Sequence, residues 1–222
     1  MRSVLFLPFV FLALLSSCGG DRTPSAWQPY REAEAVPGQG LGDIRLGSQR
    51  LGSMIDQFGV ERVSGWFTEE ETGIELIYGS VGLHFMFPMQ GECARATRAL
   101  GHRMVRELHQ ASDFFVRYPA CRELTLNSIV IVSGLRSVWW EGSTNRGARM
   151  GDLWPEVVAR HRDGRQFSHS SLQQVHRESF ESMLIEDGMQ LFFRTLGSGP
   201  PGPADRLLMP LVHVRLFEPH DD

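Results

Sequence analysis

Residues 82–87 read GLHFMF and residues 188–193 read GMQLFF. Both begin with Gly and then alternate. Leu83, Phe85 and Phe87 share one side, as do Met189, Leu191 and Phe193, which is the period of a half-buried strand. Each follows a second apolar run across a turn. IELIY precedes Gly79-Ser80, and SMLI precedes Glu186-Asp187-Gly188, so each pair predicts a hairpin. A further strand follows each: SIVIV at 128–132 and VHVRL at 212–216.

Upstream of each hairpin lies a short helix signal. Leu51, Met54, Ile55 and Phe58 fall at i, i+3, i+4 and i+7, as do Trp154, Val157, Val158 and His161. Gly47-Ser48 and Gly151-Asp152 precede them and offer Ser48 and Asp152 as N-cap candidates. Pro155 falls in a first turn, where its missing N–H costs little. The chain therefore predicts an α+β protein of two tandem repeats, each a short helix packed on an antiparallel sheet. Repeat one covers 41–135 and repeat two 136–222. From Leu83 to Met189 is 106 residues and from Val130 to Val214 is 84, so repeat one holds 106 − 84 = 22 extra residues.

Those extra residues fall within the insertion region 91–121, which reads as helical. Leu100, Met104, Leu108 and Ala111 share one face of a 100° wheel. Arg95, Arg98, His102, Arg106 and His109 form a basic stripe on the other. This stripe is either a solvated helix face or a patch for anionic lipid headgroups, lipopolysaccharide or an acidic partner.

The N-terminus reads as an export signal at 1–17. Arg2 precedes the apolar core Val4–Leu15, which is too short to span a bilayer as a helix and is interrupted by Pro8. Leu15-Ser16-Ser17-Cys18 resembles the lipobox of bacterial lipoproteins, which implies diacylglycerol on Cys18 and cleavage just before it. Gly19 and Gly20, with Asp21 only later, make the resemblance favour an outer-membrane anchor facing the periplasm. Residues 18–40 are rich in Gly, Pro and charge and read as a flexible tether. About 20 such residues reach roughly 25 Å.

With Cys18 assigned to lipid, Cys93 and Cys121 remain as an even pair in an oxidising compartment. Their spacing fits neither a C-x-x-C redox motif nor a zinc finger. A structural disulfide across the insertion is the expectation.

The chain of 222 residues has a net charge of −4 and 22 basic residues, all of them Arg. This argues against bulk nucleic-acid binding. There is no G-x-S-x-G elbow, Walker A, H-E-x-x-H or EF-hand loop. His161, His169 and His176 cluster in sequence without metal-ligand spacing, and no metal or cofactor is expected. Trp139-Trp140 and Trp66-Phe67 are either packing beneath the helices or aromatic anchors for a partner. Trp140 is the candidate anchor, because neighbouring residues in a strand face opposite ways.

A helix opened by hydrophobic-Gly-polar, followed by strands ending in G-L-x-F-x-F, resembles the SmpA/OmlA-type outer-membrane lipoproteins. Two such units in one chain resemble the β-lactamase inhibitory proteins. The resemblance spans about residues 41–217. Two departures stand out: Val60 rather than Pro follows Gly59, and repeat two lacks Cys. The resemblance implies fold and a binding role, and assigns no functional residue. The expected protein is therefore a non-enzymatic, lipid-anchored factor that binds an envelope protein and assists envelope or outer-membrane assembly. The alternatives are an inhibitor or sensor of an exported enzyme, and an unrecognised hydrolase.

Overall fold

The computed structural model describes residues 25–67, 72–100, 108, 111–133, 139–167, 180–185, 188–195 and 202–219. Among the described residues, two antiparallel sheets and five short α-helices make up an α+β body. The larger sheet has eight strands. The first four are β4 (Arg62–Phe67), β5 (Thr72–Tyr78), β6 (Leu83–Pro88) and β7 (Ser128–Val132). The others are β8 (Arg165–Phe167), β9 (Phe180–Ile185), β10 (Met189–Arg194) and β11 (Leu211–Phe217). Their order in space is β4-β5-β6-β7-β11-β10-β9-β8. Two four-stranded meanders thus meet where β7 lies antiparallel to β11, with Val130 opposite Arg215.

The alternation expected of GLHFMF and GMQLFF sets the sheet's two faces. Leu83, Phe85, Phe87, Met189, Leu191 and Phe193 are fully buried. Helices α1 (Leu51–Phe58) and α4 (Trp154–Arg160) cover that side. Trp154 meets Phe193 with ring centroids 4.6 Å apart. Leu51, Met54 and Val157 are buried beneath the helices. Neither helix uses the expected N-cap. The cap positions are Arg50 and Leu153, and neither side chain makes a cap hydrogen bond. The first helical amides are instead taken by loop carbonyls: Leu51 N–H donates to Leu124 O and Trp154 N–H to Met209 O. A strand-like bridge beside each helix does the work that Ser48 and Asp152 were expected to do.

The segment read as a tether is folded from residue 25 onward. A 3₁₀ helix, Ser25–Tyr30, carries Trp27 into the core at 1% exposure. Trp27 stacks on Phe58 at 3.9 Å and touches Tyr78 and Phe85. Strands β1 (Ala35–Val36), β2 (Gly40–Leu41) and β3 (Ile44–Arg45) form the second, three-stranded sheet. Ala35 N–H donates to Ser143 O and Gly38 N–H to Gly188 O. These approaches need glycine: a Cβ on Gly142 would stand 2.1 Å from Ala33 O, and one on Gly188 2.2 Å from Gly38 N. Composition pointed to a solvated linker, but one buried aromatic and a run of backbone pairs outweigh it. Residues 1–24, including Cys18 and the apolar leader, lie outside the described residues.

The expected boundary between 41–135 and 136–222 does not separate two cores. One hydrophobic cluster runs from Trp27 through Phe85 and Ile131 to Phe193 and Leu216. The insertion holds α2 (Gly91–Thr97), a 3₁₀ turn at Arg98–Leu100, α3 (Ala111–Arg117) and a second 3₁₀ turn at Pro119–Glu123. Cys93 and Cys121 are disulfide-bonded, with Cα atoms 4.6 Å apart. The bond ties the insertion's first helix to its last turn, and so closes it at its neck.

Candidate interaction surfaces

The face of the large sheet opposite the helices carries the side chains that alternate with the core. Across the register, Ile77, His84, Val130, Arg215 and Gln190 form one row. Glu75, Met86, Ser128 and Phe217 form a second, and Val132, His213 and Phe192 a third. Most of these side chains are half-buried. They form an apolar ground of Ile77, Met86, Val130, Val132 and Phe217, punctuated by Arg215, His84 and His213. Arg215 donates through Nε to Ser128 Oγ at 3.1 Å and lies over the Phe217 ring at 5.9 Å. His84 donates through Nδ1 to Glu75 Oε1 at 2.9 Å. Burial, with Arg194 and His84 nearby, pushes the His213 imidazole down to about 4, so it is neutral at pH 7.

At one rim of this face, by the β5–β6 turn, lies a cleft of about 150 Å³ lined by Gly79, Ser80, Val81, Gly82, His84, Val132 and Trp139. The turn is pinned. Ser80 donates through its amide and its hydroxyl to Glu61, and Val132 N–H donates to Gly82 O at 2.8 Å. Gly82 has φ +65°, and a Cβ there would stand 2.4 Å from Val132 O. The cleft gathers the residue types of a hydrolase: serine, histidine and a carboxylate behind the histidine. The Ser80 proton, however, goes to Glu61 Oε2 at 2.9 Å, so His84 is not hydrogen-bonded as its base. Sequence reading passed over His84, His213 and Arg215, and weighed Trp139 only together with Trp140 as packing or an anchor. The alternation in GLHFMF was the available signal, since it puts His84 and Met86 on the face away from the core.

The residues singled out from sequence are dispersed. Trp140 is not an exposed anchor. It is 2% exposed and its Nε1–H donates to Ala33 O at 2.9 Å. Residues 139 and 140 lie in an irregular segment rather than a strand, so the alternation argument does not apply, and both indoles are buried. Trp66 and Phe67 close β4. Of the basic stripe, Arg95 and Arg98 are exposed, Arg95 on α2 and Arg98 on the 3₁₀ turn that succeeds it. His102, Arg106 and His109 lie outside the described residues, as do His169 and His176. His161 is buried, with Nε2 3.0 Å from Thr144 Oγ1. Among the described residues no group of three His, Cys, Asp or Glu side chains could hold a metal ion, and no helix is long and apolar enough to cross a membrane. No protein family, no curated protein and no solved structure matches the chain.

Proposed function

We propose that the chain consists of two copies of one unit, a short helix followed by a four-stranded meander. Support comes from bonds that recur at matching places. The amide pairs Leu51–Leu124 and Trp154–Met209 correspond, as do Val132–Gly82 and Phe217–Gly188. The bridges Arg50·Thr125 and Leu153·Pro210 correspond as well. In this register Leu83 faces Ile131, and Met189 faces Leu216. The last strands are therefore offset by 216 − 131 = 85 rather than 84, and the insertion's surplus is 106 − 85 = 21 residues. Under the same correspondence Val130 matches Arg215, its own partner across β7 and β11. A local two-fold axis then runs through that pair.

The function proposed for this architecture is protein binding at the cell envelope, with the chain anchored through lipid on Cys18 and the open face of the eight-stranded sheet as the docking surface. A partner in outer-membrane or envelope assembly is the first choice. One observation carries this reading: a continuous sheet whose second face has Ile77, Met86, Val130, Val132 and Phe217 at its surface, with Arg215 and His84 among them. A purely solvated face would be polar throughout. The disulfide fits an oxidising compartment.

The test is capture from crosslinked membranes. The wild-type chain is expected to retain assembly proteins, and Val130→Glu to lose them. Recovery of one soluble exported enzyme instead would select the inhibitor reading, and undiminished capture by Val130→Glu would remove the open face as the surface. In the same experiment Cys18→Ala is expected to leave the membrane fraction or to remain unprocessed. A mature-length Cys18→Ala chain still fractionating with membranes would exclude the lipid anchor.

A further inference from the structure

We propose that the partner of the open sheet face is acidic, an amphipathic protein segment that sets carboxylates among apolar side chains. This rests on the reading of that face as the docking surface. Strand register carries it. One row crosses all eight strands, from Arg62 on β4 through Ile77, His84, Val130 and Arg215 to Arg165 on β8. Residues directly opposite one another project from the same side of a sheet. Val63 is buried in the core while Arg62 beside it is exposed, which puts Arg62 on the open side. Arg165, at the far end of the row, is exposed as well. An arginine therefore stands at each end of the row and a third within it, and the row holds no acidic residue. Arg194 adds a positive charge beside His213. Among the described side chains of these strands, one carboxylate lies on this side, Glu75, and it is bonded to His84. The whole chain has a net charge of −4, so the excess of cations here is local and opposite in sign to the rest.

The arrangement favours a protein segment over a bilayer. Neighbouring strands lie about 4.8 Å apart, so Arg62, His84 and Arg215 follow one another at intervals of about 10 Å and Arg165 stands about 14 Å further on. Ile77 and Val130 fill the two shorter gaps. Charge and apolar surface thus alternate along one line. A headgroup layer presents its anions at one depth and its hydrocarbon at another, whereas an amphipathic segment brings carboxylates and apolar side chains together. On a helix, residues seven apart are separated by about 10.5 Å, close to the shorter intervals. Exposed ion pairs contribute little each, so the apolar ground supplies most of the affinity, and the arginines select which segment docks and speed its approach.

The probe is a synthetic helical peptide of about 23 residues, long enough to span the row, with Glu at every seventh position of a leucine-rich face. The same peptide with Gln in place of Glu is the control. Binding to the full-length chain in non-ionic detergent is followed by fluorescence anisotropy of the labelled peptide. The Glu peptide is expected to bind saturably and more tightly than the Gln peptide, and to weaken as salt rises. Arg62→Gln with Arg165→Gln, two exposed positions on edge strands, is expected to weaken it by roughly three- to tenfold and to leave the Gln peptide unaffected. Glu75→Gln is expected to tighten the Glu peptide, a change that damage to the face would not produce. Equal binding of the two peptides would overturn the proposal and leave the docking reading standing, since that reading is tested separately by capture from membranes. Absence of binding by the Glu peptide, or affinity unmoved by the double arginine variant, would overturn it too. Displacement of the Glu peptide by dihexanoyl phosphatidylglycerol at no more than the peptide's own concentration, but not by dihexanoyl phosphatidylcholine, would assign the row to an anionic bilayer and overturn the proposal in favour of lipid.

Discussion

His161 shows what a single buried side chain asks of its surroundings. It closes the apolar face of α4 at the position where Phe58 closes that of α1. It is 1% exposed, Nε2 meets Thr144 Oγ1, and Nδ1 has no partner among the described residues. Burial, with the positive charges of Arg146 and Arg160, pushes its pKa down from 6.5 to about 4. The unfolded chain therefore takes up a proton below 6.5 that the folded chain refuses until about 4. Stability from this residue is complete above pH 6.5 and is lost as pH falls through that window. The loss is limited to about 3 kcal/mol at the acid end. Urea midpoints at pH 7.5 and pH 4.5, compared between wild type and His161→Gln, measure it. The variant is expected to be less stable at pH 7.5, because a more flexible, more polar chain replaces the ring, and to lose less on acidification. An equal acid loss in both chains would show that His161 does not carry the effect.

The strap from Ser25 to Arg45 is the element whose role composition hides. Trp27 lies among Phe58, Tyr78 and Phe85 of the first meander and its helix, while Ala35 and Gly38 pair with Ser143 and Gly188 of the second half. One short segment therefore buttresses both. Trp27→Ala leaves a large cavity under α1 and is expected to destabilise the fold by about 3–5 kcal/mol, measured by equilibrium denaturation. A flexible tether would give a change near zero. Strands β5, β6, β7, β10 and β11 were legible because each has one buried and one more open face, the condition under which a period of two appears. The edge strands were not. RVSGWF in β4 breaks its pattern at Gly65, and β8 spans three residues. Strands β1, β2 and β3 have two residues each, too few for any period. Trp140 was misplaced because a strand was assumed where the chain is irregular. The cysteine pairing was legible because parity and compartment left one pair. The open face and its cleft were not, since they depend on which strands become neighbours across β7 and β11.

At the scale of the molecule the question is whether the two halves stand alone. The hydrogen-bonded ladder is continuous from β4 to β8, and it passes through five residue pairs between β7 and β11. Leu216, from the second half, lies opposite Ile129 from the first, and both are fully exposed to each other's core and not to solvent. Cutting the chain at residue 135 would strip β7 and β11 of their partners and leave two long apolar edges, which pair with other chains or aggregate. It would also remove the strap from the second half, because Gly188 would lose its contact with Gly38. The intact chain is therefore expected to unfold in one cooperative step, with tryptophan fluorescence and far-ultraviolet circular dichroism giving the same denaturant midpoint. The five tryptophans are spread over both halves, at 27, 66, 139, 140 and 154, so the fluorescence signal reports on each. Residues 41–135 and 136–222 produced separately are expected to be insoluble or unfolded. Two separated transitions in the intact chain, or a soluble fragment with native chemical-shift dispersion, would mean that each unit holds its own core and that the shared sheet is an interface between independent domains.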